Sequence, residues 1–367
     1  METLASFLQN YLLLTFIAVF LISYTIAASV FPVIIYLSHV KKLTKKPNNR
    51  SSHKNAVPTL GGLAIFIGLS ITSSLITIIL GDKTEITELL SVFVTTTILL
   101  FIGIKDDLME ISSRKKFLTQ LVVSLLLIGL TGHYITDFHG LLGINFIPKE
   151  LGVIFTVFVY ILIINAYNLI DGIDGLASGL AILIFGFCAY FFITNSHCID
   201  GFICVASIGG LVSFSRYNLS SDRKVFMGDT GSLVIGLLIA YQIISLLSSY
   251  HITGQPYQVS NMPVRILCLI SYPLFDTLRV FIIRIKDKKS PFSADRNHIH
   301  HKLIDAGLSH LQASLVIIFT TLILIFCSEL IKNIEINQQL FVILLIGITL
   351  YSIPNYINKR KTKCAEL

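Results

Sequence analysis

Apolar runs long enough to cross a bilayer recur from one end of this chain to the other, and that repetition limits its fold more than any other feature. A helix needs about 20 predominantly apolar residues to span the hydrocarbon layer. The runs fall at 11–37, 60–80, 89–104, 117–135, 151–168, 176–194, 201–216, 231–250, 262–284, 311–328 and 337–357. They predict an all-α, polytopic integral membrane bundle of about eleven transmembrane helices. Neither an internal repeat nor a long linker interrupts them, so residues 1–367 read as a single transmembrane domain. Composition agrees: only 13% of the residues are Asp, Glu, Lys or Arg, against about 25% in soluble chains. The first run has no basic segment ahead of it and no small-residue cleavage site, which marks a retained span rather than a signal peptide.

The scarce charges are sorted by side. Lys41, Lys42, Lys45, Lys46, Arg50 and Lys54 precede the second run, and Lys105, Arg114, Lys115 and Lys116 follow the third. Arg216, Arg223 and Lys224 follow the seventh; Arg284, Lys286, Lys288, Lys289, Arg296 and Lys302 follow the ninth; Lys359, Arg360, Lys361 and Lys363 end the chain. The alternate loops hold only Lys83, Lys149 and Lys332, while Arg265 and Arg279 fall inside a run. By the positive-inside rule this puts the N-terminus outside and the C-terminal tail in the cytoplasm. The formal net charge of +7 therefore reads as topology, and no nucleic-acid partner is expected, because no base-reading element accompanies it. The six Cys residues show no CxxC pair and no zinc-like spacing. Cys198 and Cys204 flank a short loop and could pair if that loop is extracytoplasmic.

The unusual polar motifs share this sidedness, in the inner segments near 38–59, 103–116, 165–175, 217–230 and 285–310. GIKDDLME sets Asp106, Asp107 and Glu110 at the inner end of the third run. Adjacent carboxylates repel, so they call for a metal, a basic partner or water; an ordinary hydrated loop is the plainer alternative. Asp106 and Glu110 could share a helix face, with Asp107 pointing elsewhere. In NAYNLIDGIDGLASG, Asn165, Asn168, Asp171 and Asp174 recur every three residues. An unbroken helix would turn them apart by about 60° per step, so their convergence requires an interruption, which Gly172 and Gly175 permit. The segment has no Lys or Arg, so an external cation or a basic partner from another loop is expected to neutralise its carboxylates.

DRKVFMGDTGSL places Asp229 at a helix start, as a cap or as a magnesium ligand. Phe226 beside it could pack on lipid or stack on a planar substrate group. SPFSADRNHIHHKLIDAGLS brings Arg296, His298, His300 and His301. Their spacing is not that of an HExxH zinc site, and Arg and His donors suit a diphosphate. In PNNRSSHKNAVPTLGG, Arg50 and His53 could meet a lipid or nucleotide phosphate, and Gly61 and Gly62 permit close helix packing; topology alone also accounts for cations there. Carboxylates and phosphate-binding donors thus gather at one membrane face, where magnesium can bridge them. That combination suits phosphoryl transfer.

These loops, in this order and on one side, resemble the polyprenyl-phosphate N-acetylhexosamine-1-phosphate transferase family (glycosyltransferase family 4 type), over nearly the whole chain. The resemblance implies a single catalytic domain in a bacterial inner membrane, with its active site facing the cytoplasm. It implies attack of undecaprenyl phosphate on the β-phosphate of a UDP-N-acetylhexosamine, with Mg²⁺ or Mn²⁺ and release of UMP. Asp106, Asp107 and Asp229 correspond to its catalytic carboxylates, and Asp229, Asn168 and Asp107 are the implied metal ligands in that order. Arg50, His53, Asn165, Asp171, Asp174, Phe226, Arg296, His298, His300 and His301 are the implied substrate-binding set. DRNHIHH is closer to the N-acetylglucosamine-1-phosphate branch than to the muramyl-pentapeptide branch, where three consecutive histidines are typical. UDP-GlcNAc is therefore the expected donor, with UDP-GalNAc or phospho-MurNAc-pentapeptide transfer as alternatives. Direct attack is preferred to a two-step route through Asp106, and homodimer formation is left open. A transporter would instead set its charges at the bilayer midplane and show repeated halves.

Overall fold

The computed structural model describes Leu8 and residues 11–41, 43–45, 57–195, 197–252, 261–290 and 297–365. Arg50, His53 and Arg296 lie outside these residues. The chain forms helices α1 (Leu12–Val40), α2 (Gly61–Leu80), α3 (Lys83–Met109), α4 (Ser113–Thr131), α5 (Lys149–Ile170), α6 (Leu176–Thr194) and α7 (Cys198–Asn218). There follow α8 (Gly228–Ile252), α9 (Met262–Leu269), α10 (Ser271–Lys286), α11 (Ile299–Asp305), α12 (His310–Leu330) and α13 (Ile336–Ala365). Two-residue strands β1 (Thr44–Lys45) and β2 (Val57–Pro58) pair antiparallel, with Thr44 opposite Pro58 and Lys45 opposite Val57.

Nine of the described helices are long and apolar enough to cross a membrane, and α9 with α10 makes a tenth if that bent pair is one span. The protein is a multi-pass membrane protein. The expected run at 117–135 corresponds to α4, which is not among these. Arg114, Lys115 and Lys116 fill its first turn, so only residues 117–131 remain as uncharged helix. The runs at 89–104 and 201–216 lie within longer helices, α3 and α7. α3 begins before residue 89 because Asp82 and Glu85 form a capping box, each side chain accepting the other's backbone N–H at 2.8 Å. The run at 262–284 is not straight: α9 and α10 meet at 65°. Pro273 sits in the first turn of α10 and has no N–H to offer the carbonyl four residues back, so an unbroken helix through Ile270 is disfavoured.

α8 is the axis of the bundle. Every residue from Thr230 to Leu246 is buried, and α8 packs against α2, α3, α5 and α6. Its approach to α2 depends on missing side chains, since a Cβ on Gly62 would stand 2.1 Å from the backbone of Gly231. α1, α2, α6 and α7 form a second packed group. Outer faces expose large apolar side chains, among them Leu13, Tyr36, Phe101, Phe319 and Phe341, as lipid contact requires. Cys198 and Cys204 are both free thiols, so the suggested pairing does not form.

Candidate active site

The C-terminal end of α3, the N-terminal ends of α4 and α8 and the C-terminal end of α5 converge on one acidic cluster. α3 stops at Met109, and Glu110 takes a left-handed φ of 49°. The turn back into α4 carries Lys116 toward the carboxylates of α3. Its ammonium lies 2.6 Å from Asp106 Oδ2 and 2.5 Å from Asp229 Oδ2. The other Asp106 oxygen accepts the Ile111 N–H at 2.6 Å. Asp107, turned to a different helix face as expected, accepts the backbone N–H groups of Asp229 at 3.0 Å and Thr230 at 2.9 Å, and the Thr230 hydroxyl at 2.6 Å. The start of α8 is therefore capped by Asp107 from α3, while Asp229 turns its own side chain to Lys116. Two of the three carboxylates share one ammonium, and the positive end of α8 offsets the charge of the third.

The segment after α5 interrupts the helix at Asp171, and Gly175 is left-handed with φ 77°. The four residues spaced by three nonetheless do not converge. Asn165 exchanges amide hydrogen bonds with buried Gln120 of α4, at 2.7 and 3.3 Å. Asn168, one turn on, donates to Ser232 Oγ at 2.7 Å and also reaches Asp229. Asp171 ends the helix. Asp174 faces the other way, 2.7 Å from Lys224 Nζ and 2.9 Å from His310 Nδ1. The basic partner expected from another loop is thus Lys224. Of the four, Asn168 alone joins the acidic cluster in these contacts.

The histidines form a second group. His298, His300 and His301 are all buried, and neighbouring ring centroids stand 5.4 Å (His298–His300) and 4.3 Å (His300–His301) apart. His298 Nδ1 is 2.6 Å from Asp276 Oδ2, and His300 Nδ1 is 3.0 Å from the Tyr272 hydroxyl. Burial, then the nearby His301, His298 and His310, hold the His300 imidazole well below its ordinary pKa and so neutral. A Cβ on Gly172 would meet His300 Nε2 at 2.6 Å, so this group abuts the segment that carries Asn168. Phe226 donates its N–H to the Pro58 carbonyl at 2.8 Å and accepts from Gly61 at 3.0 Å. Its backbone stitches the start of α2 to the approach to α8.

Sequence reasoning did not single out Lys116, Asp276, Gln120, Lys224 or His310 as site residues. Lys116 and Lys224 served only as topology markers there. Asp276 carried a usable signal, because an isolated carboxylate inside a predicted span is expensive in lipid and marks function by default.

Among the described residues no three His, Cys, Asp or Glu side chains gather as a closed metal cage. Mg²⁺ does not need one, since it takes one or two carboxylates plus water and substrate phosphate. Asp106 and Asp229 already reach one cationic atom together, with Asn168 beside them, and that donor set fits Mg²⁺.

Residues 89–247, from α3 through most of α8, match the profile of glycosyl transferase family 4. A Bacillus subtilis (strain 168) protein named as a probable undecaprenyl-phosphate N-acetylglucosaminyl 1-phosphate transferase is 33% identical over 331 residues, 87% of each chain. An undecaprenyl-phosphate alpha-N-acetylglucosaminyl 1-phosphate transferase of Yersinia pestis is 30% identical over 75% of this chain and 73% of its own. The protein of the same name from Escherichia coli (strain K12) is 28% identical over 88% and 86%.

Proposed function

The chain belongs to glycosyl transferase family 4 and is a transferase, and from that premise we propose that it moves N-acetylglucosamine-1-phosphate from UDP-GlcNAc to undecaprenyl phosphate. A phosphate oxygen of the lipid attacks the β-phosphorus of the donor. The bond from that phosphorus to the bridging oxygen breaks, and UMP leaves with that oxygen. The product is undecaprenyl-diphospho-GlcNAc, a first membrane intermediate of cell-envelope polysaccharide synthesis. The observation that carries this reading is the single ammonium shared by Asp106 and Asp229 at the start of α8.

Asp106, Asp229 and Asn168 would hold Mg²⁺, which when bound neutralises diphosphate charge. Lys116 supplies a second positive charge to the same oxygens and to an incoming phosphate. Asp107 holds the α8 N-terminus in place. With both oxygens bonded to α8 it is a poor nucleophile, and Asp106 is occupied by Ile111 and Lys116, which favours direct displacement over a covalent enzyme intermediate. The histidine group would serve the donor diphosphate; the roles of Arg296 toward the same diphosphate and of Arg50 and His53 toward the lipid phosphate rest on the family resemblance alone. The basic loops favour eleven crossings, with α4 as one, an outside N-terminus and a cytoplasmic site.

The test is exchange by purified protein in detergent, with undecaprenyl phosphate, Mg²⁺ and a panel of radiolabelled UDP-sugars. Lipid-linked product and UMP should form in equal amounts from UDP-GlcNAc. Product from UDP-MurNAc-pentapeptide alone would replace the donor, and retention at a chiral β-phosphorus would replace direct attack.

A further inference from the structure

Gln120 carries no charge and belongs to no motif, yet it is the first buried residue of α4, at 1% exposure. From Ser112 to Leu118 the chain lies exposed except at Lys116, and Ser112 makes no capping bond. The turn that brings Lys116 to the acidic cluster therefore has little of its own to fix it. The next side chain that can do so is Gln120, and its partner is Asn165 of α5. Gln120 Nε2 donates to Asn165 Oδ1 at 3.3 Å, while Asn165 Nδ2 donates to Gln120 Oε1 at 2.7 Å and to the Ile161 carbonyl at 2.7 Å. A carbonyl only accepts, so the Ile161 contact sets which way the Asn165 amide faces, and the exchange then sets Gln120. Both N–H groups of the Asn165 amide are used in this way.

The pair is in register with the acidic cluster. α4 starts at the cluster and α5 ends there, so the two helices run antiparallel. One turn from the pair toward the cluster leads along α4 to Lys116 and along α5 to Asn168. Lys116 holds Asp106 at 2.6 Å and Asp229 at 2.5 Å, and Asn168 donates to Ser232 and reaches Asp229. A buried amide left without its partner costs more than a paired one gains. Gln120 and Asn165 therefore favour one rotation of α4 against α5, the one that aims Lys116 inward.

We propose that Gln120 is a positioning residue, which through its amide exchange with Asn165 holds the first turns of α4 so that the Lys116 ammonium stays on the Asp106 and Asp229 oxygens. The assignment rests on the transfer reading above and gives Asn165 to the helix pair rather than to a substrate. Lys116 touches the reacting charges; Gln120 touches none of them and acts only through where it sets Lys116. Gln120→Leu keeps the bulk of the side chain and removes the exchange. Asn165 then loses a donor and an acceptor, α4 is free to rotate, and the ammonium spends less time between the two carboxylates.

Two measurements on the full-length protein in detergent test this. In steady-state transfer, Gln120→Leu should lower turnover about tenfold, the scale of one buried hydrogen-bonding partner removed. In a protein that already carries Lys116→Gln, the same substitution should cost nothing further. Unchanged turnover in Gln120→Leu, or a full second loss in the double variant, means that Gln120 does not act through Lys116 and overturns the proposal. Amine labelling read by mass spectrometry follows Lys116 without reference to transfer. Its side chain is 23% exposed, and in Gln120→Leu it should label about fivefold faster than in the parent, as for a comparable local opening. Exposed Lys115 should label alike in both. Equal labelling of Lys116 in the two proteins overturns the positioning role. If Gln120→Leu does not fold, Gln120→Asn, which withdraws the amide by one methylene, is judged by the same outcomes. An inert parent whose Lys116 is nonetheless exposed by the substitution upholds the positioning role and overturns the transfer reading instead.

Discussion

The acidic cluster and the histidine group abut across the segment after α5, but they are assembled on opposite principles. Asp106, Asp107 and Lys116 come from two helices joined by a tight turn, and Asp229 from the first turn of the central helix. Their charges are partly exposed: the Lys116 and Asp229 side chains retain about a fifth of their surface. Such a cluster can exchange one cation for another. The histidines come from a seven-residue helix and the residue that precedes it; all are buried, His298 and His300 against α10 and His300 also against Gly172. They have one arrangement and little room for a second. The first region tolerates a change of charge partner, and the second specifies a shape.

The comparison is tested most severely by Asp229→Ala. It removes a carboxylate shared by Lys116 and the expected metal while leaving the Asp107 cap of α8 intact. Transfer should fall by about a thousandfold, the scale of losing one preorganised electrostatic contact, with the thermal midpoint in detergent nearly unchanged. Near-normal turnover at saturating Mg²⁺ would remove Asp229 from the site. Lys116→Gln should cost less, about a hundredfold, because added Mg²⁺ can replace part of the missing charge. The turnover of Lys116→Gln should therefore recover partially as Mg²⁺ is raised from micromolar to tens of millimolar. A variant whose defect is the same at every Mg²⁺ concentration would mean that the cluster does not trade cations.

Gly172→Ala probes the second region. Its methyl would press on His300 Nε2 at 2.6 Å, and His300 is boxed by Tyr272 on the other side. Overpacking of this kind costs about 1–3 kcal/mol. An approximately tenfold loss of transfer that raised Mg²⁺ does not relieve is expected, in contrast to Lys116→Gln. Recovery with Mg²⁺ would show that the two regions are not separable.

How far each region can be read from the sequence follows from the same difference. The bilayer-length runs make the helices legible, and the Asp106–Asp107 pair with Asp229 marks the acidic cluster, because adjacent carboxylates near lipid demand an explanation. Lys116 is hidden among three consecutive cations, and only the turn at Glu110 selects which of them folds back. The even spacing of Asn165, Asn168, Asp171 and Asp174 suggests a common target. The left-handed Gly175 instead sends Asp174 toward Lys224 and His310 while Asn168 stays with α8. The kink at Ile270 reads as continuous apolar sequence, since Pro273 is compatible with both a first helical turn and a mildly bent span. Asp276 is visible as a charge in a span, but its pairing with His298 depends on that kink and on a contact across 22 residues.

The smallest expected effect is on stability and concerns His300. Its folded pKa is depressed, whereas in the unfolded chain it titrates near the ordinary value of about 6.5. Above that pH both states leave the ring neutral, and His300 makes stability neither rise nor fall. Below it the unfolded chain binds a proton that the buried ring refuses, so stability drops as pH falls, by at most about 1.4 kcal/mol per unit for this group. The thermal midpoint in detergent should therefore be level above pH 7 and decline from pH 6.5 toward 5. His300→Gln keeps a hydrogen-bonding partner for Tyr272 but cannot titrate. It should lower the midpoint at neutral pH through lost packing and flatten the acid decline relative to the parent. Parallel parent and His300→Gln curves over that interval would mean that the ring is protonated in place, and that the histidine group is as adaptable in charge as the acidic cluster beside it.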